Sequence, residues 1–216
     1  MTHPLSGSSF PSLRRGLIAI LRGVSPADAL SIGEVLVEAG IEAIEVPLNS
    51  PSPLLSVERL VVKFGGNSLI GAGTVLSAEA VRAVADIGGR LIVAPNVDPE
   101  VLAAAVGHGL IVMPGVFTAT EALNALRWGA SALKFFPAIA LGASGVQALR
   151  SILPATAPLG AVGGVGEADF PAFWRVGVRL FGLGASLYKP GDKPAEVAAR
   201  AKAVVAAYDR LTAEGQ

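Results

Sequence analysis

One unit recurs along this chain: an amphipathic helical stretch, a glycine near its end, then a short apolar run. Glu38-Ala39-Gly40 precedes Ala43-Ile44-Glu45-Val46, Ile87-Gly88-Gly89 precedes Leu91-Ile92-Val93, and Gly107-His108-Gly109 leads into Leu110-Ile111-Val112-Met113. Trp128-Gly129 leads into Ala132-Leu133-Lys134-Phe135, and Val176-Gly177 into Leu180-Phe181-Gly182-Leu183. Glycine at a helix end supplies a left-handed cap, a conformation that a Cβ disfavours. Strands that are apolar throughout, rather than alternating, are buried on both faces, as in a parallel sheet covered by helices. Adding residues 17–22, 69–71 and 159–163 gives eight strand candidates separated by helical patterns. Ser25-Pro26, Ser77 before Ala78, and Asp98-Pro99 mark helix starts.

Eight βα units in 216 residues predict a compact (β/α)8 TIM barrel over residues 17–216, with residues 1–16 as a short N-terminal extension. A doubly wound open sheet is the alternative; against it, no Gly-rich dinucleotide turn follows the first strand. A hydrophobic content of 52% suits many short buried strands, Ala-rich helices and a subunit interface. Arg14-Arg15 ahead of an apolar run resembles an export signal, but Arg22 ends the run too early, so the segment reads as a strand of a cytoplasmic enzyme. No apolar stretch approaches the roughly 18 residues of a membrane helix. The formal net charge of +0 and the scattered arginines give neither a nucleic-acid stripe nor a polybasic membrane patch. The absence of cysteine excludes disulfides and thiolate chemistry, and with only His3 and His108 a histidine-rich metal site is not expected.

Chemistry in this fold gathers at the C-terminal ends of the strands. Strand 1 ends in Arg22, strand 2 carries Glu45 and leads to Asn49, and strand 3 runs into Gly71-Ala72-Gly73-Thr74. Strand 6 holds Lys134, while strands 7 and 8 end in Gly163-Gly164 and Gly184-Ala185-Ser186. A lysine forced into an apolar interior loses proton affinity, and a neutral amine attacks a ketone to form a Schiff base. The plainer reading has Lys134 snorkelling to a surface. Glu45, between Ile44 and Val46, is expected to be half-buried with a raised pKa suited to proton transfer, unless it serves as a structural partner of Lys134 or Arg22. Arg22 can grip a carboxylate at two points or close an ion pair at the barrel mouth. The glycine turns at 163–164 and 184–185 fall where this fold commonly binds phosphate. His108 reads as structural, Trp128 and Trp174 as packing residues, and Lys63, Lys189, Lys193 and Lys202 as solvated side chains.

Together these residues resemble the class I 2-keto-3-deoxy-6-phosphosugar-acid aldolases. The resemblance is carried by Ile44-Glu45-Val46-Pro47-Leu48-Asn49-Ser50-Pro51, Gly71-Ala72-Gly73-Thr74-Val75-Leu76, Leu133-Lys134-Phe135-Phe136-Pro137 and Val162-Gly163-Gly164-Val165, in the family's order. It implies a homotrimeric barrel that uses a covalent imine and no metal or other cofactor. It also implies that Lys134 forms the imine and Glu45 is the general acid/base. Arg22, Gly73 and Thr74 would hold the substrate carboxylate, and Gly163, Gly164, Gly184, Ala185 and Ser186 the phosphate. Asn49 and Val162 are similar to the phosphogalactonate-specific branch, where the phosphogluconate branch typically has arginine and threonine. One departure stands out: the family often has serine directly after the strand-8 glycine, where this chain has Ala185, with Ser186 next.

The implied reaction is reversible cleavage of a phosphorylated 2-keto-3-deoxy sugar acid to pyruvate and glyceraldehyde 3-phosphate. Rival readings are the gluconate epimer as substrate, a non-catalytic phosphosugar-binding barrel, and a barrel isomerase or epimerase.

Overall fold

Apolar runs of three to five residues and the polar caps between them set the order of elements in the computed structural model, which describes residues 7–214. The strands are β1 (Leu17–Ile20), β2 (Ala43–Pro47), β3 (Leu69–Gly73), β4 (Leu91–Val93), β5 (Ile111–Met113), β6 (Gly115–Val116), β7 (Leu133–Phe135), β8 (Leu159–Val162) and β9 (Leu180–Leu183). The helices are α1 (Pro26–Ala39), α2 (Pro53–Phe64), α3 (Ala78–Asp86), α4 (Pro99–Gly107), α5 (Ala119–Arg127), α6 (Ala138–Arg150), α7 (Phe170–Arg175) and α8 (Pro194–Glu214).

The expected caps are in place. Ser25 Oγ accepts from Asp28 N at 3.3 Å, Ser77 Oγ from Ala80 N at 3.1 Å, and Asp98 Oδ1 from Glu100 N at 2.8 Å. Gly40, Gly88, Gly109, Gly129 and Gly177 all take positive φ, between 68° and 93°, which reverses the chain from each helix into the next strand. At the start of α5, Thr118 and Glu121 form a reciprocal capping box.

All strands are parallel, in the order β5-β4-β3-β2-β1-β9-β8-β7-β6. The fifth expected strand is split into β5 and β6 by Pro114, which has no N–H for the ladder. It still reaches β7, because Ser131 N donates to Val112 O at 2.8 Å and Lys134 N to Pro114 O at 3.0 Å. The ring therefore closes into a barrel with eight strand positions and excludes the open sheet.

Alternation along each strand separates two cores. Leu17, Ala19, Ile44, Val46, Ile70, Ile92, Val112, Leu133, Phe135, Ala161 and Phe181 face the surrounding helices. Ile18, Ala43, Leu69, Leu91, Val93, Met113, Ala132 and Leu180 fill the barrel, with Phe10 and Leu13 packed against them. Side chains two residues apart share a face. Ala43 therefore puts Glu45 inside the barrel, and Ala132 does the same for Lys134.

Residues 7–16 run without regular secondary structure and are tied to the barrel. Arg15, buried, grips Asp209 of α8 with two bonds of 2.7 Å, and Arg14 N donates to Glu42 at 2.8 Å. Residues 1–6 of the expected extension, including His3, lie outside the described residues. His108 ends α4, where its Nδ1 lies 2.9 Å from Ala104 O, and Trp174 packs edge-on against Tyr208.

Candidate active site

The strand register gives Lys134 its space. Its cross-strand partners are Gly115 and Gly160, so no side chain flanks its stem on either neighbouring strand. Lys134 is 6% exposed, and its ammonium sits 4.4 Å from the centre of the Phe136 ring. Burial lowers its pKa from 10.5 to about 8, with nearby Arg22 acting in the same direction and Glu45 opposing. Glu45 is 2% exposed. Burial raises its pKa from 4.5 to about 7, against the pull of Lys134 and Arg22. Its Oε2 is buried with no hydrogen-bond partner in the protein. An orphaned carboxyl oxygen beside an amine of lowered basicity is a site where protons can be exchanged with a bound molecule.

Gly73 shapes the space around Glu45. A Cβ at that position would collide with the carboxyl group of Glu45, so only glycine lets the carboxyl occupy its present place. The next residue, Thr74, adopts φ of 55°, a left-handed conformation unfavourable for a β-branched residue. Its Oγ1 lies 3.4 Å from Arg22 Nη2, and Arg22 Nη1 donates to Asn49 Oδ1 at 2.6 Å. Three strand ends are thereby joined through one guanidinium.

A cavity of about 690 Å³ opens beside these groups at the C-terminal ends of the strands. Arg22, Glu45 and Lys134 line one part of it, with Ile20 and Phe136. Val162, Gly163, Gly164, Gly184, Ala185 and Ser186 line another. Gly163 and Gly164 have φ of 95° and 77° beneath Phe136 and Ile139, where a Cβ would be both strained and crowded. Among the described residues, the backbone N–H groups of Gly164, Ala185 and Ser186 have no acceptor within the protein. Such groups on a cavity wall suit an anion. Ser186 Oγ donates to Val165 O at 3.2 Å.

The cavity wall thus contains Lys134, Glu45, Arg22, Val162 and all five expected phosphate residues. Gly73, Asn49 and Thr74 connect to it through Glu45 and Arg22. Lys189, expected to be solvated, is exposed, and it also belongs to the cavity wall, because the turn after β9 brings it back over the barrel mouth. Phe136 and Asp169 were also missed. Phe136 has a sequence signal, being two residues beyond Lys134 and hence on the same face; Asp169 and Lys189, in loops, have no periodicity to reveal them. No group of three or more His, Cys, Asp or Glu side chains able to hold a metal occurs among the described residues.

A closed parallel barrel with an amine and a carboxyl group buried together at its C-terminal rim defines a barrel lyase of the aldolase type. The family model described as KDPG and KHG aldolase matches residues 13–200, and the chain belongs to that family. A probable 2-dehydro-3-deoxy-6-phosphogalactonate aldolase of Rhizobium meliloti (strain 1021) is 52% identical over 93% of this chain and 95% of that protein. The 2-dehydro-3-deoxy-6-phosphogalactonate aldolase of Escherichia coli (strain K12) is 45% identical over 89% of this chain and 94% of its own length. A solved structure described as native KDPGal superposes with a TM-score of 0.92 at 42% identity, covering 95% of this chain and 99% of that one.

Proposed function

We propose that this chain cleaves 2-dehydro-3-deoxy-6-phosphogalactonate to pyruvate and glyceraldehyde 3-phosphate through an imine on Lys134. The observation that carries the reading is the burial of Lys134 with Glu45 in one cavity, which moves their pKa values to about 8 and about 7. Neutral Lys134 attacks the C2 ketone, and loss of water gives an iminium that acts as an electron sink. Glu45, through a water or directly, takes the C4 hydroxyl proton. The C3–C4 bond breaks, its electrons pass into the iminium, and glyceraldehyde 3-phosphate leaves. The remaining enamine is protonated at C3, and hydrolysis returns pyruvate and the free amine. No metal or other cofactor has a role in this scheme.

Arg22, with Thr74 and Gly73, holds the carboxylate end, and the free N–H groups at Gly164, Ala185 and Ser186 hold phosphate, so the reacting atoms are fixed between two anchored ends. The galactonate epimer is favoured because Asn49 and Val162 stand where arginine and threonine mark the gluconate branch, and the names of the relatives agree with that choice. A cytoplasmic setting belongs to the same reading; no helix among the described residues is long and apolar enough to cross a membrane. So does a homotrimer, for which the half-exposed apolar side chains Leu54 and Leu55 of α2 offer contact surface.

Borohydride reduction in the presence of pyruvate, followed by peptide mass mapping, tests the core of the scheme. The expected result is a pyruvyl adduct on Lys134; a folded protein saturated with pyruvate and carrying no adduct there would overturn it. Comparing kcat/KM on the two phosphorylated epimers then tests the sugar, and a preference for the gluconate would reverse that assignment.

A further inference from the structure

We propose that Lys189 supplies the positive charge that recognises the substrate phosphate, replacing the hydroxyl contact that Ala185 cannot make. This rests on the proposed phosphosugar substrate and assigns one more residue to its anion end.

A phosphate monoester carries a charge of about −1.5 to −2 at neutral pH. Free backbone N–H groups at Gly164, Ala185 and Ser186 offer partial charges only. The side chains of the two glycine loops contribute little more. Ala185 has no hydroxyl, and Ser186 spends its proton on Val165 O. Asp169, on the same wall, is a carboxylate that accepts from Gly166 N at 2.9 Å and would repel the phosphate. Arg22 is already bonded to Asn49 and Thr74, and Lys134 must be neutral to react. Among the described residues on the cavity wall, that leaves Lys189 as the one cation without another task. Its ammonium has no ion-pair partner among them.

The backbone holds Lys189 in place. Its N–H donates to Asp192 Oδ2 at 2.7 Å, and Asp192 is paired with Arg200 of α8 at 2.8 Å. Arg200 also bonds Leu187 O at 3.1 Å. Pro190 packs so closely on Gly23, the residue after Arg22, that a Cβ there would lie 2.7 Å from its ring. The segment carrying Lys189 is therefore fixed between the glycine loops and the Arg22 loop. Lysine recognises phosphate as a point charge, without the two-point geometry of arginine, so a tethered backbone with a free side chain is sufficient.

The test compares wild type, Lys189→Met and Lys189→Arg on the phosphorylated acid and on its unphosphorylated counterpart. A contact made equally in the ground and transition states appears in KM rather than kcat. Lys189→Met is expected to raise KM for the phosphorylated substrate about tenfold, to lower the phosphorylated-over-unphosphorylated preference by the same factor, and to be rescued by Lys189→Arg. An unchanged KM, or an equal loss on both substrates, would overturn the assignment. A second readout is independent of turnover: at one fixed concentration, inorganic phosphate should raise the Tm of the wild type more than that of Lys189→Met, which keeps only the backbone N–H groups. Equal shifts in both proteins would overturn the role of Lys189. Failure of the wild type to cleave the sugar acid would instead overturn the proposed reaction and leave the Tm comparison to decide on Lys189.

Discussion

The two ends of the barrel interior are built on the same strands, yet they hold opposite chemistry. At the N-terminal end Ile18, Ala43, Leu69, Ala132 and Leu180 pack into a dry cluster closed by Phe10 and Leu13. Two residues further along three of those strands, on the same face, stand Ile20, Glu45 and Lys134 around an open cavity. The lower end gains stability from burial at about 25 cal/mol per Å² of apolar surface. The upper end buries two ionisable groups and leaves a carboxyl oxygen unpartnered, an arrangement that apolar residues of similar volume would improve upon for stability alone. One end is therefore a packing solution, and the other accepts instability to hold a reactive amine.

The sharpest way to break this contrast is to make the upper end resemble the lower. Replacing Lys134 with Met and Glu45 with Leu together should reduce aldol cleavage by at least about a thousandfold, since no amine remains to form the electron sink. The same double variant should unfold about 1–3 kcal/mol later than wild type near neutral pH, read from Tm or denaturant midpoints. The pH dependence fixes where that gain is greatest. Glu45 has a folded pKa of about 7 against 4.5, so the native state binds more protons in that interval and its contribution falls as pH rises through it. Lys134 has a folded pKa of about 8 against 10.5, so its contribution recovers only as pH rises from about 8 to 10.5. The pair is least stabilising between about pH 7 and pH 8, where the stabilisation from replacing it should peak. A double variant that is inactive and also less stable would show the pair to be structural.

A subtler intervention leaves both groups in place and moves one. Gly73→Ala puts a methyl group where the Glu45 carboxyl now sits, and a displacement of about 1 Å at a reacting group costs on the order of a hundredfold in kcat/KM. Trapping of pyruvate on Lys134 should survive, because imine formation needs the amine more than the carboxylate; loss of both together would mean that Gly73→Ala disturbs the whole barrel mouth. Smaller again is the response of the unaltered protein to acid. As pH falls below about 8, Lys134 takes up its proton and can no longer attack, and Glu45 follows below about 7. Because the two groups interact, the profile belongs to the pair, with kcat/KM falling by about tenfold or more per pH unit on the acid side. Glu45→Gln should leave a shallower limb, and a flat profile down to about pH 5 would remove both groups from the rate law.

Much of this division was legible in the chain because it follows from period. The glycines before each strand, the unbroken apolar runs and the caps at Ser25, Ser77 and Asp98 are local signals with local causes. Lys134 and Glu45 were visible as polar residues inside apolar runs; Phe136 carries the same parity signal but was missed. What escaped depends on distance in sequence. The split of the fifth strand shows only once neighbouring strands compete for ladder bonds around Pro114. The link from Arg22 to Asn49 and Thr74 requires the register of three strands. Lys189 lies beyond any strand, and its place at the cavity depends on Asp192, Arg200 and the fit of Pro190 against Gly23. Loop residues carry no periodicity, so tertiary contacts alone decide which face they reach.

The smallest effect on catalysis is expected from the largest disturbance of packing. Leu69 starts β3 in the lower cluster, two residues before Gly71 and four before Gly73, and is 6% exposed. Truncating it to alanine removes buried methyl groups and leaves a void that the closed barrel can only partly fill, at a cost of about 2–5 kcal/mol. The backbone ladder that aims β3 does not depend on that side chain: Leu69 N is bonded to Glu42 O at 2.7 Å. Leu69→Ala should therefore lower the denaturant midpoint markedly, while kcat/KM, measured where the variant is still folded, stays within about threefold of wild type, the range expected for sites without shared partners. A loss of kcat/KM comparable to that of Gly73→Ala would mean that the lower cluster sets the position of Glu45, and that the two ends of the barrel are one cooperative unit rather than a rigid base beneath a separately tuned site.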